Sequence, residues 1–275
     1  MDDFRSYHEI QTRLRDFFYR QRGFIEVPTQ SRLSILAACE DPNTITPAFI
    51  GGVKWPLPQT GQMWLEHELL RNPDLPGVFC VTTSYRDEPN PIPGRHDIVF
   101  PMFEFESKGD MADLRRLERD LLTHLGFSGT PSFISYEEAC QTYGVDSLDA
   151  EHEESISVEK GNVVFLETFP QRTHPFWNMK HNGGGLFNKI DVLLYGMETI
   201  GSAERSTNVD EMRENFMTIS GGEYYQKLNG LFGEERVMRE LDEYLSLAMF
   251  KRYGGGMGIT RLARAMKKEG LLSGQ

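Results

Sequence analysis

Polar side chains alternate with apolar ones along two stretches of the sequence that are typical of β-strands. In the first, Phe79 to Glu88, the two-residue period of a strand places Arg86 and Glu88 on one face with Ser84, if the strand stays regular. An arginine beside a carboxylate is costly to bury without partners. These residues therefore form either a solvated face or part of a ligand site, and the segment alone leaves both interpretations open.

The second stretch, Val99 to Glu106, repeats this alternation with more acids. One of its faces combines an aromatic ring, a thioether and two carboxylates: Phe100, Met102, Glu104 and Glu106. The opposite face carries Phe103 and Phe105, which we expect in the core. The segment 89–96 would join the two stretches into a hairpin with one charged face.

Two acids flank a turn signal further along the chain. Tyr195-Gly196 is typical of a tight turn, and with a two- or four-residue loop Leu193 faces Glu198. Asp191 and Glu198 then lie diagonally on one face. Mg²⁺ takes one or two protein carboxylates and completes its shell with water and phosphate oxygens, so the pair is a candidate for this ion. An ordinary edge hairpin with surface acids is the alternative.

A glycine-rich segment, Gly254 to Gly258, precedes the last apolar helical pattern. Glycines let the backbone approach a bulky anion, and a helix N-terminus attracts phosphate through its N–H groups and its dipole. Arg261 would then face a phosphate tail. The segment matches neither the P-loop nor the dinucleotide fingerprint, so a flexible loop is the alternative. Arg205 is likewise either an anion ligand or a partner of Glu204.

The composition restricts the class of protein. The 275 residues carry 29 Lys and Arg against 41 Asp and Glu, a net charge of −12, and 39% are hydrophobic. This excludes a disordered or fibrous chain and argues against charge-driven binding to nucleic acid or anionic membranes. The start lacks a secretion signal and no apolar run would span a bilayer, so we expect a cytoplasmic protein. The cysteines and histidines lack the spacing of a disulfide framework or a zinc site.

The surrounding elements must position these residues. Apolar residues recur at helical spacing in three segments: 4–18, 111–125 and 237–249. Extended segments lie between them: 24–29, 79–88, 99–106, 163–169 and 190–200. The order is not an alternating βαβ pattern. We therefore predict an α+β fold in one domain, residues 1–275, with a largely antiparallel sheet flanked by helices.

Taken in order, these segments resemble the catalytic core of class II aminoacyl-tRNA synthetases of the aspartyl/asparaginyl/lysyl subgroup. Three segments are similar to the three motifs of that family, in order 23–29, 85–100 and 256–261. Asp191 and Glu198 match the subgroup in type and separation, and the segment 201–205 is similar to its glycine-serine-arginine segment. The resemblance covers almost the whole chain.

The resemblance implies activation of an amino acid, whose carboxylate attacks the α-phosphorus of ATP and releases pyrophosphate. Arg86 would hold the α-phosphate and the carboxylate, and Arg261 the outer phosphates. Asp191 and Glu198 would carry Mg²⁺. The remaining ATP-binding residues that the resemblance implies are Glu88 at the adenine amino group, Phe100 against the adenine face, and Arg95 with His96 in the second motif.

For the amino acid, the resemblance implies that Glu104 binds the α-ammonium group and that Gln62 belongs to the same site. Arg205 matches the arginine that meets the side-chain carboxylate in aspartyl members, which indicates aspartate as substrate. Thr60–Met63 and Glu104 look closer to the asparaginyl members and to their paralogue, the archaeal-type asparagine synthetase.

The acyl acceptor stays open among three alternatives. Synthetases of this subgroup normally carry an N-terminal anticodon-binding barrel, and we expect none here because the chain begins one helix before the first motif. The leading expectation is therefore a stand-alone ligase that passes the acyl group to ammonia or a small amine, as in asparagine synthesis. The second is transfer to a tRNA, a carrier protein or a protein lysine. The third is a regulatory paralogue without turnover, because Val99 and Thr260 replace usual acids of the motifs. The first motif implies a homodimer.

Overall fold

The computed structural model describes residues 3–29, 32–39, 41–95 and 97–272. Its α-helices are α1 (Phe4–Arg15, extended by a π-helical turn Asp16–Gln21), α2 (Gln62–Arg71), α3 (Met111–Leu125), α4 (Tyr136–Tyr143), α5 (Ala150–Lys160), α6 (Val209–Thr218), α7 (Glu223–Phe232), α8 (Glu234–Leu245) and α9 (Ile259–Lys268). Its strands are β1 (Ile25–Glu26), β2 (Pro47–Ile50), β3 (Val53–Pro56), β4 (Gly77–Tyr85), β5 (Val99–Lys108), β6 (Ser132–Ser135), β7 (Val163–Pro170), β8 (His181–Gly183), β9 (Leu186–Leu194), β10 (Glu198–Glu204) and β11 (Arg252–Gly258).

One large sheet organises the chain, in the order β1-β4-β5-β11-β10-β9-β7-β6, with β8 paired to β9. The outer pairs β1–β4 and β6–β7 are parallel, and the pairs between them are antiparallel. The strands β2 and β3 form a separate hairpin. The predicted α+β fold with a largely antiparallel sheet is therefore confirmed.

Helices α1, α3 and α9 cover one face of the sheet. Their apolar stripes pack against Phe103 and Phe105 of β5, which are fully buried as the alternation predicts. The Asp3 side chain caps α1 by accepting hydrogen bonds from two backbone N–H groups of its first turn. Gly126 ends α3 in the left-handed conformation, with φ of 102°.

The opposite face of the sheet carries a second apolar cluster, built by α6, α7 and α8 around the buried Trp177. Residues of β5, β10 and β11 line a cavity together with some residues of this cluster. Across the described ranges, every helix is too short or too polar to cross a bilayer.

Several predicted elements extend beyond the observed ones. The strand predicted over 79–88 ends at Tyr85, because the Glu88 amide donates to the Arg86 carbonyl at 2.8 Å and closes a tight turn. Glu88 is therefore placed by this turn and not by strand alternation. The segment 190–200 contains two strands, the segment 24–29 is a strand only at Ile25–Glu26, and the last predicted helix ends at Leu245.

Candidate active site

A cavity of about 600 Å³ opens above the centre of the sheet. We call the strands β5, β11 and β10 beneath it the floor. Side chains from the floor, from β9 and α2, and from the loops after β7 and α6 line its walls. Most of the residues that the sequence singled out line this one cavity: Gln62, Arg86, Phe100, Glu104, Glu198, Arg205 and Arg261.

The two predicted phosphate-binding arginines approach the cavity from different elements. Arg86 follows β4, and its Nε donates to Ser84 Oγ at 3.2 Å while its guanidinium lies 5.3 Å from the Phe100 ring centre. Arg261 lies in the first turn of α9 and donates from Nη1 to the carbonyl of Glu198 at 2.9 Å. The structure thus brings both guanidinium groups to one cavity, as predicted.

A smaller pocket of about 120 Å³ adjoins both arginines. Its walls include Glu88, Arg95 and Phe100, so the turn after β4 and the β4–β5 loop bring the second-motif residues together. Arg95 also forms an ion pair with Glu153 at 2.7 Å. His96, the remaining ATP-binding residue predicted from the resemblance, lies outside the described residues.

The glycine-rich segment is neither the phosphate-cradling loop nor the flexible loop considered from the sequence. It forms β11, paired on both sides with β5 and β10 in the floor. A Cβ on Gly256 would lie 2.8 Å from Met102 Cε, and one on Gly254 would overlap the Glu106 carboxylate. These glycines are therefore needed because side chains of the adjacent strand cross over their backbone.

The two predicted metal ligands lie close together: Glu198, at the start of β10, lines the cavity, and Asp191, on β9, is buried beside it. Tyr195 and Gly196 both have positive φ, 52° and 75°, and form the tight turn that pairs Glu198 with Leu193 as predicted. A Cβ on Gly201 would lie 3.0 Å from Glu198 Oε1 and 3.7 Å from Asp191 Oδ1. Both carboxylates therefore extend over the same glycine.

The surroundings of Asp191 suit a cation. Its Oδ1 is buried without a hydrogen-bond partner, and its Oδ2 forms an ion pair with Lys189. Burial raises the pKa of Asp191 to about 7, Lys189 acts in the opposite direction and Glu198 raises it further. In the described ranges no group of three or more His, Cys, Asp or Glu could hold a metal, so an ion here needs oxygens from a ligand or water.

The predicted amino-acid-binding residues line the end of the cavity near α2. Glu104 is buried and accepts hydrogen bonds from the Gly61 amide at 2.8 Å and from Thr60 Oγ1. Gln62 Nε2 donates to the Phe105 carbonyl at 3.2 Å. Arg205 is 4% exposed and completes this end of the cavity.

A buried charge network behind Arg205 was missed from the sequence. Arg205 lies 3.5 Å from Glu66 and 3.4 Å from Glu106. Glu66 also accepts hydrogen bonds from Arg252 Nη2 at 2.7 Å and Tyr244 at 2.6 Å. Glu66 interrupts an apolar stretch of α2, and Glu106 shares the polar face of β5. These were the available signals, but neither indicates the partner.

The two acids of this network have opposite pKa shifts. Burial raises the pKa of Glu106 to about 8, although Arg205 acts against it. Burial alone would also raise the pKa of Glu66, but Arg205 and Arg252 outweigh it and hold the pKa below its usual value. The network therefore joins two guanidinium groups to one acid whose ionised form they stabilise, Glu66, and one acid whose ionisation burial opposes, Glu106.

Solved structures with this architecture include aminoacyl-tRNA synthetases. The asparaginyl-tRNA synthetase of Pyrococcus horikoshii, solved with asparaginyl-adenylate, matches with a TM-score of 0.78 and 21% identity over 96% of this chain and 65% of that protein. The Entamoeba histolytica asparaginyl-tRNA synthetase, also solved with asparaginyl-adenylate, matches with a TM-score of 0.72 and 20% identity over 96% of this chain and 63% of that protein. The aspartyl-tRNA synthetase of the same organism matches with a TM-score of 0.67 and 16% identity over 94% of this chain and 55% of that protein.

The chain therefore spans less than two thirds of the length of these synthetases and shares the fold of the part that it matches. No curated protein sequence matches it significantly. The family described as tRNA synthetases class II (D, K and N) matches residues 2–270, which confirms the resemblance found in the motifs. On this match over nearly its whole length, the chain belongs to the class II tRNA synthetase family of the D, K and N type.

Proposed function

We propose that this protein activates an amino acid with ATP, forming an aminoacyl-adenylate and releasing pyrophosphate. The supporting observation is that Arg86 and Arg261 line one cavity above the floor together with Glu198, and that Asp191 lies beside Glu198 over Gly201. The substrate carboxylate attacks the α-phosphorus and forms a new P–O bond. The bond between the α-phosphorus and the oxygen that bridges to the β-phosphate breaks, and its electron pair leaves with pyrophosphate. Members of the family are ATP-dependent ligases.

In this proposal Arg86 holds the α-phosphate and the substrate carboxylate. A planar guanidinium offers paired donors to both, which a lysine ammonium reproduces poorly. Arg261 holds the outer phosphates from α9. Glu88, Arg95 and Phe100 line the adjoining pocket and bind the nucleoside part, with Phe100 against the base. His96 belongs to the same set.

Asp191 and Glu198 fit a divalent ion, since one buried Asp191 oxygen has no protein partner and both carboxylates extend over Gly201. Mg²⁺ there would neutralise charge on the phosphates as pyrophosphate leaves. The chain itself supplies no nucleophile in this step. Its contribution is to orient the substrates and to stabilise developing charge with fixed dipoles and cations.

The charge network favours aspartate as the amino acid. Glu104 would bind the α-ammonium group beside Gln62, and Arg205 would face the side chain. Burial opposes ionisation of Glu106 and so reduces the negative charge behind Arg205, which favours a substrate carboxylate in front of it. Asparagine is the second candidate, because two of the matching structures contained asparaginyl-adenylate.

For the acyl acceptor we propose ammonia or another small amine, since the net charge of −12 opposes strong binding of a polyanion. Aminoacylation of tRNA is the second candidate, and membership of a tRNA synthetase family favours it. Stable label on an added tRNA or protein would support a macromolecular acceptor. Binding of ATP without pyrophosphate exchange would instead indicate the regulatory alternative.

The direct test is amino-acid-dependent exchange of labelled pyrophosphate into ATP, with Mg²⁺ and each proteinogenic amino acid in turn. We expect exchange with aspartate or asparagine, and its loss in Arg261→Ala. Arg119→Ala, an exposed arginine of α3, is the matched control and should keep the wild-type rate. Absence of exchange with every amino acid would refute the proposal.

We also propose a homodimer built around the segment 23–29. Two large side chains at this edge of the sheet are exposed in one chain, Ile25 by 44% and Tyr19 by 58%. A second copy would cover them. Sedimentation velocity should give a dimer that Ile25→Asp weakens, and a wild-type monomer at high concentration would contradict this proposal.

A further inference from the structure

A second cavity, of about 420 Å³, adjoins the candidate active site on the side of β9. The two cavities share four lining residues: His174, Pro175, Ile219 and Ser220. We call this second cavity the side chamber. The remaining residues that line it come from the start of β9, the end of α6 and the segments beside them: Gln171, Arg172, Phe187, Asn215, Thr218 and Gly221.

The strand β9 links the side chamber to the reacting centre. Phe187 lines the side chamber, Lys189 lines the candidate active site, and Asp191 is the proposed metal ligand. These three are every second residue of the strand, so their side chains lie in a row on one face of it, about 7 Å apart. A small molecule moving along this face would pass from the side chamber toward the phosphates and the acyl group.

The walls of the side chamber offer little to a polyanion. Arg172 is the one arginine among the residues that line it. Its guanidinium already donates to the Glu137 carboxylate, and its Nε donates to the Asp146 carbonyl at 3.0 Å. The other lining residues are neutral amides, hydroxyls and apolar groups, apart from His174. The lining therefore fits a small uncharged nucleophile better than a phosphate-rich one.

The junction between the two cavities has unusual backbone geometry on both of its walls. His174 has φ of 51° and Ser220 has φ of 53°, both in the left-handed region that non-glycine residues rarely adopt. Such conformations are strained and cluster at functional sites. Among the four shared residues, His174 carries the side chain that can act as a general base.

We infer that the side chamber admits the acyl acceptor, a small primary amine or ammonia, to the adenylate. This inference rests on the proposed function and adds the route and class of the second substrate. The amine nitrogen attacks the acyl carbon, a C–N bond forms, and the bond to the phosphate oxygen breaks so that AMP leaves with the electron pair. The proton lost by the nitrogen goes to His174 at the junction.

The test is to narrow the side chamber and compare two reactions of one preparation. Thr218→Trp introduces a bulky side chain at the exposed end of α6, where folding should tolerate it. Pyrophosphate exchange with aspartate measures adenylate formation. Release of the aspartyl amide or hydroxamate with hydroxylamine, ethylamine and benzylamine measures transfer.

We expect the ratio of transfer to exchange to fall about tenfold with hydroxylamine and further with the larger amines. The matched control is Glu214→Trp, which adds the same side chain one turn earlier on α6, outside the side-chamber lining, and should keep the wild-type ratio. His174→Gln, which removes the proposed proton acceptor, should lower the ratio of transfer to exchange.

Two results would overturn the inference. One is an unchanged ratio in Thr218→Trp; a higher KM for aspartate in exchange at that unchanged ratio would assign the side chamber to the amino-acid side chain. The other is transfer to tRNA alone, with none to any amine. A wild-type protein without exchange would instead refute the proposed function, and the inference with it.

Discussion

Arg205 Nη2 lies 3.4 Å from Glu106 Oε2, and both side chains are almost completely excluded from solvent. Gln62 Nε2 contacts the same carboxylate oxygen. Glu106 therefore lies behind two residues that line the amino-acid end of the cavity, without lining it itself. Its protonation state changes the charge that a bound side chain experiences.

The first prediction concerns pH and the choice between aspartate and asparagine. The pKa of Glu106 is raised to about 8, so its negative charge develops as the pH rises through that value. We expect the wild-type ratio of kcat/KM for aspartate over asparagine to fall about tenfold from about pH 6.5 to about pH 9.5, because an added charge nearby repels the substrate carboxylate. Exchange assays across this range measure the ratio.

Glu106→Gln keeps the neutral form at every pH and serves as the matched variant. Its ratio should stay at the low-pH wild-type value. A wild-type ratio independent of pH, or the same fall in the variant, would show that Glu106 does not set the preference.

The second prediction tests the guanidinium geometry at position 86. Arg86→Lys keeps the positive charge but loses the planar fork, so we expect kcat/KM for ATP to fall at least about 100-fold. Arg119→Lys, on the exposed side of α3, is the control for the same chemical change. A loss below about threefold would mean that Arg86 acts only as a point charge.

The third prediction concerns the metal. Glu198→Gln removes one of the two carboxylates above Gly201, and we expect the Mg²⁺ concentration for half-maximal exchange to rise about tenfold. Titration of Mn²⁺ in the presence of ATP, followed by electron paramagnetic resonance, should show the same weakening. Glu214→Gln, an exposed acid of α6, should behave like the wild type. Equal Mn²⁺ affinity in both variants would contradict the assignment.

The fourth prediction concerns stability. Glu118 of α3 is completely buried on the far side of the floor from the cavity, and burial raises its pKa to about 8, with Ser202 acting in the opposite direction. The folded state keeps this proton between about pH 4.5 and 8 while the unfolded state releases it. The free energy of unfolding therefore falls as the pH rises through this window.

Glu118→Gln lacks this titration, so its stability relative to the wild type should rise by about 2–4 kcal/mol from pH 5 to pH 8. Urea denaturation of both proteins at several pH values measures the difference, in which the other titrating groups cancel. A difference that does not change with pH would refute the prediction.

Local patterns predicted much of the fold and of the site. Two-residue alternation placed Phe103 and Phe105 in the core, and the turn signal Tyr195-Gly196 placed Asp191 and Glu198 above one glycine. These features depend on neighbours in sequence. The boundary of β4 was missed because a turn hydrogen bond, and not side-chain pattern, ends the strand.

Long-range pairing accounts for what the sequence did not predict. Glu66 and Arg252 are 186 residues apart in the chain, and only the fold brings them together beside Arg205. The glycine-rich segment was misread for a similar reason. Its neighbours on β5 and β10, which require residues without side chains, are distant in sequence.

The glycine strand β11 also limits how this protein can acquire new specificity. Much of the surface under a bound ligand is main chain, which mutation cannot easily reshape, and a larger residue at Gly256 would collide with Met102. Variation in substrate choice must therefore come from the side chains around the glycines, positions 62, 104 and 205, and from the side-chamber residues. A library for directed evolution should be confined to these positions, with the glycines left unchanged.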